Sequence, residues 1–95
     1  MPGHAASWCT GYPEICPSTT CLQPLNVASD ATFKLIESML GECTGGTARG
    51  GLFPDDFIHL GGDEVDTSCW TKTPAVAQWL TAHNMTGDQA RDYNY

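Results

Sequence analysis

Basic residues are scarce: four lysines and arginines stand against eleven aspartates and glutamates, a formal net charge of -7. Such a surface repels phosphate backbones and anionic headgroups and offers no cationic stripe, so neither nucleic acid nor membrane is expected as a partner. Long apolar runs are missing as well. No stretch approaches the roughly 20 residues of a membrane span. The first residues, MPGHAASW, contain neither the basic segment nor the apolar stretch of a secretory leader. None of the five cysteines falls in a Cys-x-x-Cys pair or a zinc-type spacing, so no metal and no cofactor is expected. The glycine-rich stretch TGGTARGG, residues 44–51, lacks the Gly-Lys-Ser/Thr ending of a phosphate loop and reads as a flexible surface connector. A chain of 95 residues holds one small domain at most, or a piece of a larger one.

Cysteine itself is plentiful. Cys9, Cys16, Cys21, Cys43 and Cys69 are many for a reduced compartment. Asn84-Met85-Thr86 is an acceptor triplet for N-linked glycan, usable only in the secretory pathway. Together they predict an oxidising setting whose targeting signal lies outside this chain. The first 28 residues mix glycine, proline and three cysteines without a sustained period and predict an ordered but irregular loop. From Ser29 or Asp30, either of which can cap, an amphipathic helix is predicted. Phe33, Ile36 and Leu40 lie on one face, widened by Leu35 and Met39, and Gly41 marks the stop. Phe57-Ile58-His59-Leu60 reads as a strand buried on both faces of a parallel sheet. Thr73-Pro74 then opens a second helix whose Val76, Trp79 and Leu80 face inward. Helix, strand and helix in alternation predict a parallel α/β fold, in which chemistry gathers beyond the carboxyl ends of the strands.

HLGGDEV, residues 59–65, places Asp63 and Glu64 at that end. Two glycines let the backbone turn sharply, and an apolar strand would supply the low-dielectric floor on which a carboxyl keeps its proton. Glycosidases commonly set two carboxyl groups across the scissile bond, at least about 5 Å apart. Sequence neighbours cannot easily straddle a sugar. They can serve on one side where the substrate brings its own nucleophile, the carbonyl oxygen of a 2-acetamido group. Glu64 would then protonate the leaving oxygen and later deprotonate water, while Asp63 would hold the acetamido N–H and stabilise the oxazolinium-like intermediate. The competing account is a pair of solvated loop acids.

HLGGDEV, with MPGHAASW upstream and Cys69-Trp70 downstream, closely resembles glycoside hydrolase family 20, the β-N-acetylhexosaminidases, in particular the plant and algal type. The resemblance extends through GYPEICPSTTC, PLNVASDATFKLIESML and TPAVAQWLTAHNMT. It implies that residues 1–95 are part of a (β/α)8 catalytic barrel, from the end of strand 3 through strand 4 and its following helix. It implies the roles given above for Asp63 and Glu64, and a third active-site residue, His4, linked by hydrogen bonds to the acid/base. A disulfide between Cys21 and Cys69 is likewise implied, as is a substrate glycan or glycoconjugate ending in N-acetylglucosamine or N-acetylgalactosamine. The expected compartment is lysosomal, vacuolar or extracellular, and an intact homodimer is compatible with the resemblance. A complete barrel needs about 250 residues, so this chain is expected to be truncated at both ends and inactive by itself.

His59, within the apolar run, reads as a satisfied core imidazole rather than a catalyst. Trp79 reads as helix core, Trp70 as structural, and Trp8 as packing. Two rival functions remain. A non-catalytic, disulfide-stapled binding module predicts all cysteines but one paired, whereas an enzyme segment predicts exposed apolar strand edges. The GGDEF signature of nucleotide cyclases shares Gly-Gly-Asp-Glu, but Val65 replaces its phenylalanine and polar residues follow where a second strand is needed.

Overall fold

The computed structural model describes residues 2–45 and 50–94, apart from the side chains of Pro2–His4 and Asn94. Residues 46–49 of the connector therefore lie outside the described residues. The opening segment is more regular than expected. A 3-10 helix, Pro2–Ser7, runs into the short α1 (Trp8–Gly11), and a second 3-10 turn spans Pro13–Ile15. Pro2 and Pro13 each stand at the start of a turn, where a preset φ helps and the missing N–H costs no bond. Only beyond Ile15 does the backbone become irregular. There, Asn26 donates its N–H to the Ile15 carbonyl at 2.7 Å and accepts, through its side-chain oxygen, the Ala28 amide at 2.9 Å.

Helix α2 (Asp30–Thr44) follows an extended Ser29 N-cap. Its inward stripe is the half-buried Ala31, Leu35 and Ile36, which pack on Ala5, Ile15, Cys16 and Leu25. Phe33, expected on that stripe, is instead 41% exposed, because it lies two residues from Leu35, about 200° around the helix. Thr32 is buried, and its hydroxyl donates to the Asn26 carbonyl at 2.7 Å. Gly41 does not stop the helix. The chain continues to Thr44 and closes at Gly45, whose φ of 77° and N–H to the Gly41 carbonyl at 2.7 Å form a left-handed cap. After the connector, Leu52 and Phe53 donate their N–H groups to the carbonyls of Glu42 and Cys43. Gly51 passes so close to the helix end that a Cβ would overlap the backbone of Cys43, Thr44 and Gly45.

The second half is a small helical layer of α3 (Ser68–Lys72), α4 (Pro74–Ala82) and α5 (Gly87–Asn94). Thr73 precedes α4 and Pro74 takes its first position as expected, although the Thr73 hydroxyl donates back to the Cys69 carbonyl at 2.8 Å rather than capping forward. Val76 and Leu80 are buried with Trp70, Ala90 and Val27, and Trp79 and Met85 pack at the edge of this cluster. Val27 comes from the first half of the chain. Two further ties join the halves: the Trp70 indole N–H donates to the Leu25 carbonyl at 2.9 Å in the interior, and Cys21 is bonded to Cys69, Cα–Cα 5.6 Å.

The strand expected at Phe57-Ile58-His59-Leu60 is absent: among the described residues there is no strand. The segment is without regular structure and in solvent, with Phe57 92%, Ile58 51% and Leu60 36% exposed. A parallel strand is held by ladder hydrogen bonds to strands on both sides, and among the described residues there is no second strand to form that ladder. His59 follows its neighbours into solvent, contrary to the core position expected of it. The radius of gyration, 14.1 Å, exceeds the roughly 12 Å of a compact domain of this length, as expected when an apolar stretch lies outside both clusters.

Candidate functional site

The residues singled out by sequence sit on the loop between the exposed apolar stretch and α3. Gly61 and Gly62 have φ of 69° and 98°, and Glu64 has φ of 55°. Left-handed backbone is free for glycine but costs a residue with a Cβ roughly 1 kcal/mol. Glu64 is thus held in a conformation that its own side chain disfavours, a feature that gathers at functional loops. The Gly61 N–H donates to His59 Nδ1 at 2.9 Å, which fixes the entry to the turn. Asp63 and Glu64 occupy the turn itself, and both are exposed. The apolar floor expected beneath them is not built by the described residues.

Beyond the pair the loop is anchored. The Asp66 carboxylate accepts the Ser68 amide at 2.9 Å. That bond, then one from the Ser68 hydroxyl and last the Lys72 charge, holds the Asp66 carboxyl below its ordinary range against an opposing desolvation. The Thr67 hydroxyl donates to Asp88 at 3.2 Å, and Gly87 lies so near Thr67 that a Cβ would sit 2.7 Å from its hydroxyl oxygen. This contact brings the start of α5 beside the Gly-Gly-Asp-Glu turn. An open depression of about 400 Å³ results, lined by Gly61, Gly62, Asp63, Arg91 and Asp92.

Arg91 was not picked out by the sequence reading, although Asp88 three residues earlier is a helical pairing signal. Its guanidinium meets Asp92 at 2.8 Å and Asp88 at 3.3 Å. The Asp92 hydrogen bond first, then the charges of Asp92 and Asp88, raise its pKa further above an already high value.

The remaining expected residues are distributed as follows. His4 lies in the first 3-10 helix, and its side chain is outside the described residues. Cys21 and Cys69 form a disulfide, and a second bond, unassigned by sequence, joins Cys9 to Cys16, Cα–Cα 5.9 Å. Cys43 is free and half-buried. Asn84 is exposed on the turn after α4 with φ of 52°. Among the described residues no group of histidine, cysteine and acidic side chains could hold a metal ion.

The loop sets two carboxylates on a glycine-shaped turn after an exposed apolar stretch, and over nearly the whole chain the sequence matches a carbohydrate-processing class of protein. Residues 1–94 match the catalytic domain of glycosyl hydrolase family 20, and the chain belongs to that family, whose fold is the (β/α)8 barrel. It is similar to beta-hexosaminidase 3 of Arabidopsis thaliana, 47% identical over 93 residues, which cover 98% of this chain and 16% of the relative. Beta-hexosaminidase 1 of the same plant is 43% identical over 93 residues, with 98% and 16% covered. Beta-hexosaminidase subunit A1 of Dictyostelium discoideum is 37% identical over 99 residues, with 98% and 18% covered. The chain thus spans about a sixth of the length of the curated relatives it matches. No solved structure matches. Four of the five cysteines are paired, as a stapled module would have them, and the exposed apolar stretch of an enzyme segment is present but forms no strand edge; the family match favours the enzyme segment over a stapled binding module. It likewise favours a hydrolase over a nucleotide cyclase.

Proposed function

We propose that this chain is the acid/base segment of a β-N-acetylhexosaminidase that releases terminal N-acetylhexosamine from glycans with retention. The observation that carries this reading is the Asp63-Glu64 pair on its glycine turn, within a chain that matches the family's catalytic domain from residue 1 to residue 94. In the reaction, the substrate's acetamido oxygen attacks the anomeric carbon as the C–O bond to the leaving group breaks, and Glu64 gives its proton to the departing oxygen. Asp63 accepts a hydrogen bond from the acetamido N–H, aligning the nucleophile and stabilising the positive oxazolinium. Glu64, now a carboxylate, removes a proton from the water that opens this intermediate. His4 acts as a positioning residue for Glu64. The substrates are glycans or glycoconjugates ending in N-acetylglucosamine or N-acetylgalactosamine. The working compartment is lysosomal, vacuolar or extracellular, in keeping with two disulfides.

The test uses a full-length enzyme carrying residues 1–95 and a series of aryl N-acetyl-β-glucosaminides of differing phenol acidity. Glu64→Gln removes the proton donor, so kcat/KM is expected to fall by about 10²–10⁴ for poor leaving groups and much less for activated ones. Asp63→Asn loses the charge that steadies the oxazolinium, so its defect is expected at every leaving group. If Asp63→Asn is harmless, or if substrates lacking the acetamido group react as fast as those with it, neighbouring-group participation is refuted.

A further inference from the structure

The turn between α4 and α5 is closed by two adjacent caps that together take up Asn84, Met85 and Thr86. At the end of α4 the Met85 N–H donates to the Leu80 carbonyl at 3.0 Å and the Asn84 N–H to the Thr81 carbonyl at 3.1 Å. With Asn84 in the left-handed region, this is a Schellman closure, and Met85 supplies its customary apolar contact by packing on the cluster that holds Leu80. Thr86 then starts α5. Its hydroxyl accepts the Gln89 N–H at 3.2 Å, while the Gln89 side-chain oxygen accepts the Thr86 N–H at 2.9 Å. That reciprocal pair is a capping box.

Each cap accepts several residues. Glycine meets a left-handed C-terminal position at lower cost than asparagine, and aspartate or serine caps a helix start as well as threonine. Asparagine at the first position with threonine at the third is a combination that also makes an acceptor for N-linked glycan. Asn84 is exposed, and Met85, the middle residue, is not proline. The two disulfides fit the oxidising compartment in which that transfer occurs.

We propose that Asn84 carries an N-linked glycan and that it is attached before α5 is capped. The glycan donor is a polyprenyl-pyrophosphate-linked oligosaccharide. The Asn84 side-chain nitrogen bonds to its anomeric carbon, the C–O bond to pyrophosphate breaks, the pyrophosphate leaves with the electron pair, and the amide proton passes to a base of the transferase. In the folded turn the Thr86 hydroxyl is engaged by Gln89 and Asn84 is locked in its left-handed turn. The triplet is offered in extended form only while both caps are open. Once attached, the glycan leaves from the exposed end of α4, beside the stacked rings of Trp79 and His83, 4.0 Å apart.

The test is secretion of the full-length protein from a eukaryotic host, followed by enzymatic glycan release in heavy-oxygen water and peptide mass spectrometry. Asn84 is expected as labelled aspartate. Asn84→Gly and Thr86→Asp preserve both caps but destroy the acceptor, so each is expected to lose one glycan while the Cys21–Cys69 bond still forms. Thr86→Ser is expected to retain it. Unmodified Asn84 in disulfide-bonded, secreted wild-type protein overturns the site. For the order of events, solubilised transferase with lipid-linked donor is expected to modify the reduced, unfolded protein and to refuse the folded one. Equal modification of both overturns the proposed timing.

Discussion

At the scale of single residues, the loop around Asp63 and Glu64 is fixed by its neighbours rather than by the pair. Asp66 is the clearest case, because its carboxylate accepts the first amide of α3. Its pKa is lowered from an ordinary 3.8, chiefly by that backbone hydrogen bond. A lowered folded-state pKa means the native chain prefers the ionised form. The contribution is therefore fully present above about pH 4 and is lost as pH falls through the lower folded value. Wild type is expected to be more stable to urea than Asp66→Ala near neutral pH, with the gap narrowing as the carboxyl is protonated in strong acid. Parallel unfolding curves at the two pH values check this; a gap independent of pH would assign the effect to packing instead. The same scale shows why Asp63 and Glu64 were legible in the sequence. Glycine dihedrals and adjacency are local properties, whereas the burial expected of Glu64 depends on residues far along a chain and is not met among those described.

At the scale of elements, helices were legible and the strand was not. The interior of α4 follows from Thr73-Pro74 and the spacing of Val76 and Leu80, since a helix satisfies its own backbone. Phe57-Ile58-His59-Leu60 has the composition of a strand but must borrow its hydrogen bonds from elsewhere. The capping box at Thr86 and Gln89 was readable from Thr-x-x-Gln and was missed, with α5 behind it. Gly41 was misread as a stop because glycine favours helix ends, yet here it is interior and a Cβ would meet nothing within 4 Å. Gly41→Ala is therefore expected to stabilise the chain by about 0.5–1 kcal/mol, through higher helix propensity and a less flexible unfolded state. Thr86→Ala removes the cap of α5 and is expected to cost about 1 kcal/mol, whereas Thr86→Ser costs little. Urea midpoints of the three variants test both helix ends; destabilisation by Gly41→Ala would show that the helix breaks there in solution.

At the scale of the whole molecule, two small clusters are held as one body by the Cys21–Cys69 bond, the Trp70–Leu25 hydrogen bond and Val27. The disulfide closes a loop with a sequence separation of 48, for which chain entropy gives about 4 kcal/mol. That is a large share of the stability of so small a core. Replacing both cysteines with serine is expected to loosen the chain toward separate halves, read as lost protection of the Trp70 indole from solvent quenching. The exposed stretch has the opposite tendency. Leu52, Phe53, Phe57 and Ile58 expose apolar side chains, a patch that invites association, and it is interrupted by Pro54, Asp55 and Asp56. The purified 95-residue chain is expected to bind a hydrophobic dye and to self-associate as concentration rises, both reduced by replacing Phe57 and Ile58 with lysine. It is also expected not to hydrolyse aryl N-acetyl-β-glucosaminides. Catalysis needs a walled, water-poor pocket to hold the acetamido oxygen against the anomeric carbon, and here Asp63 and Glu64 are both exposed, with Asp63 on an open depression. Steady hydrolysis by the monomeric double-lysine variant, abolished by Glu64→Gln, would show that the pair can act without the rest of a barrel.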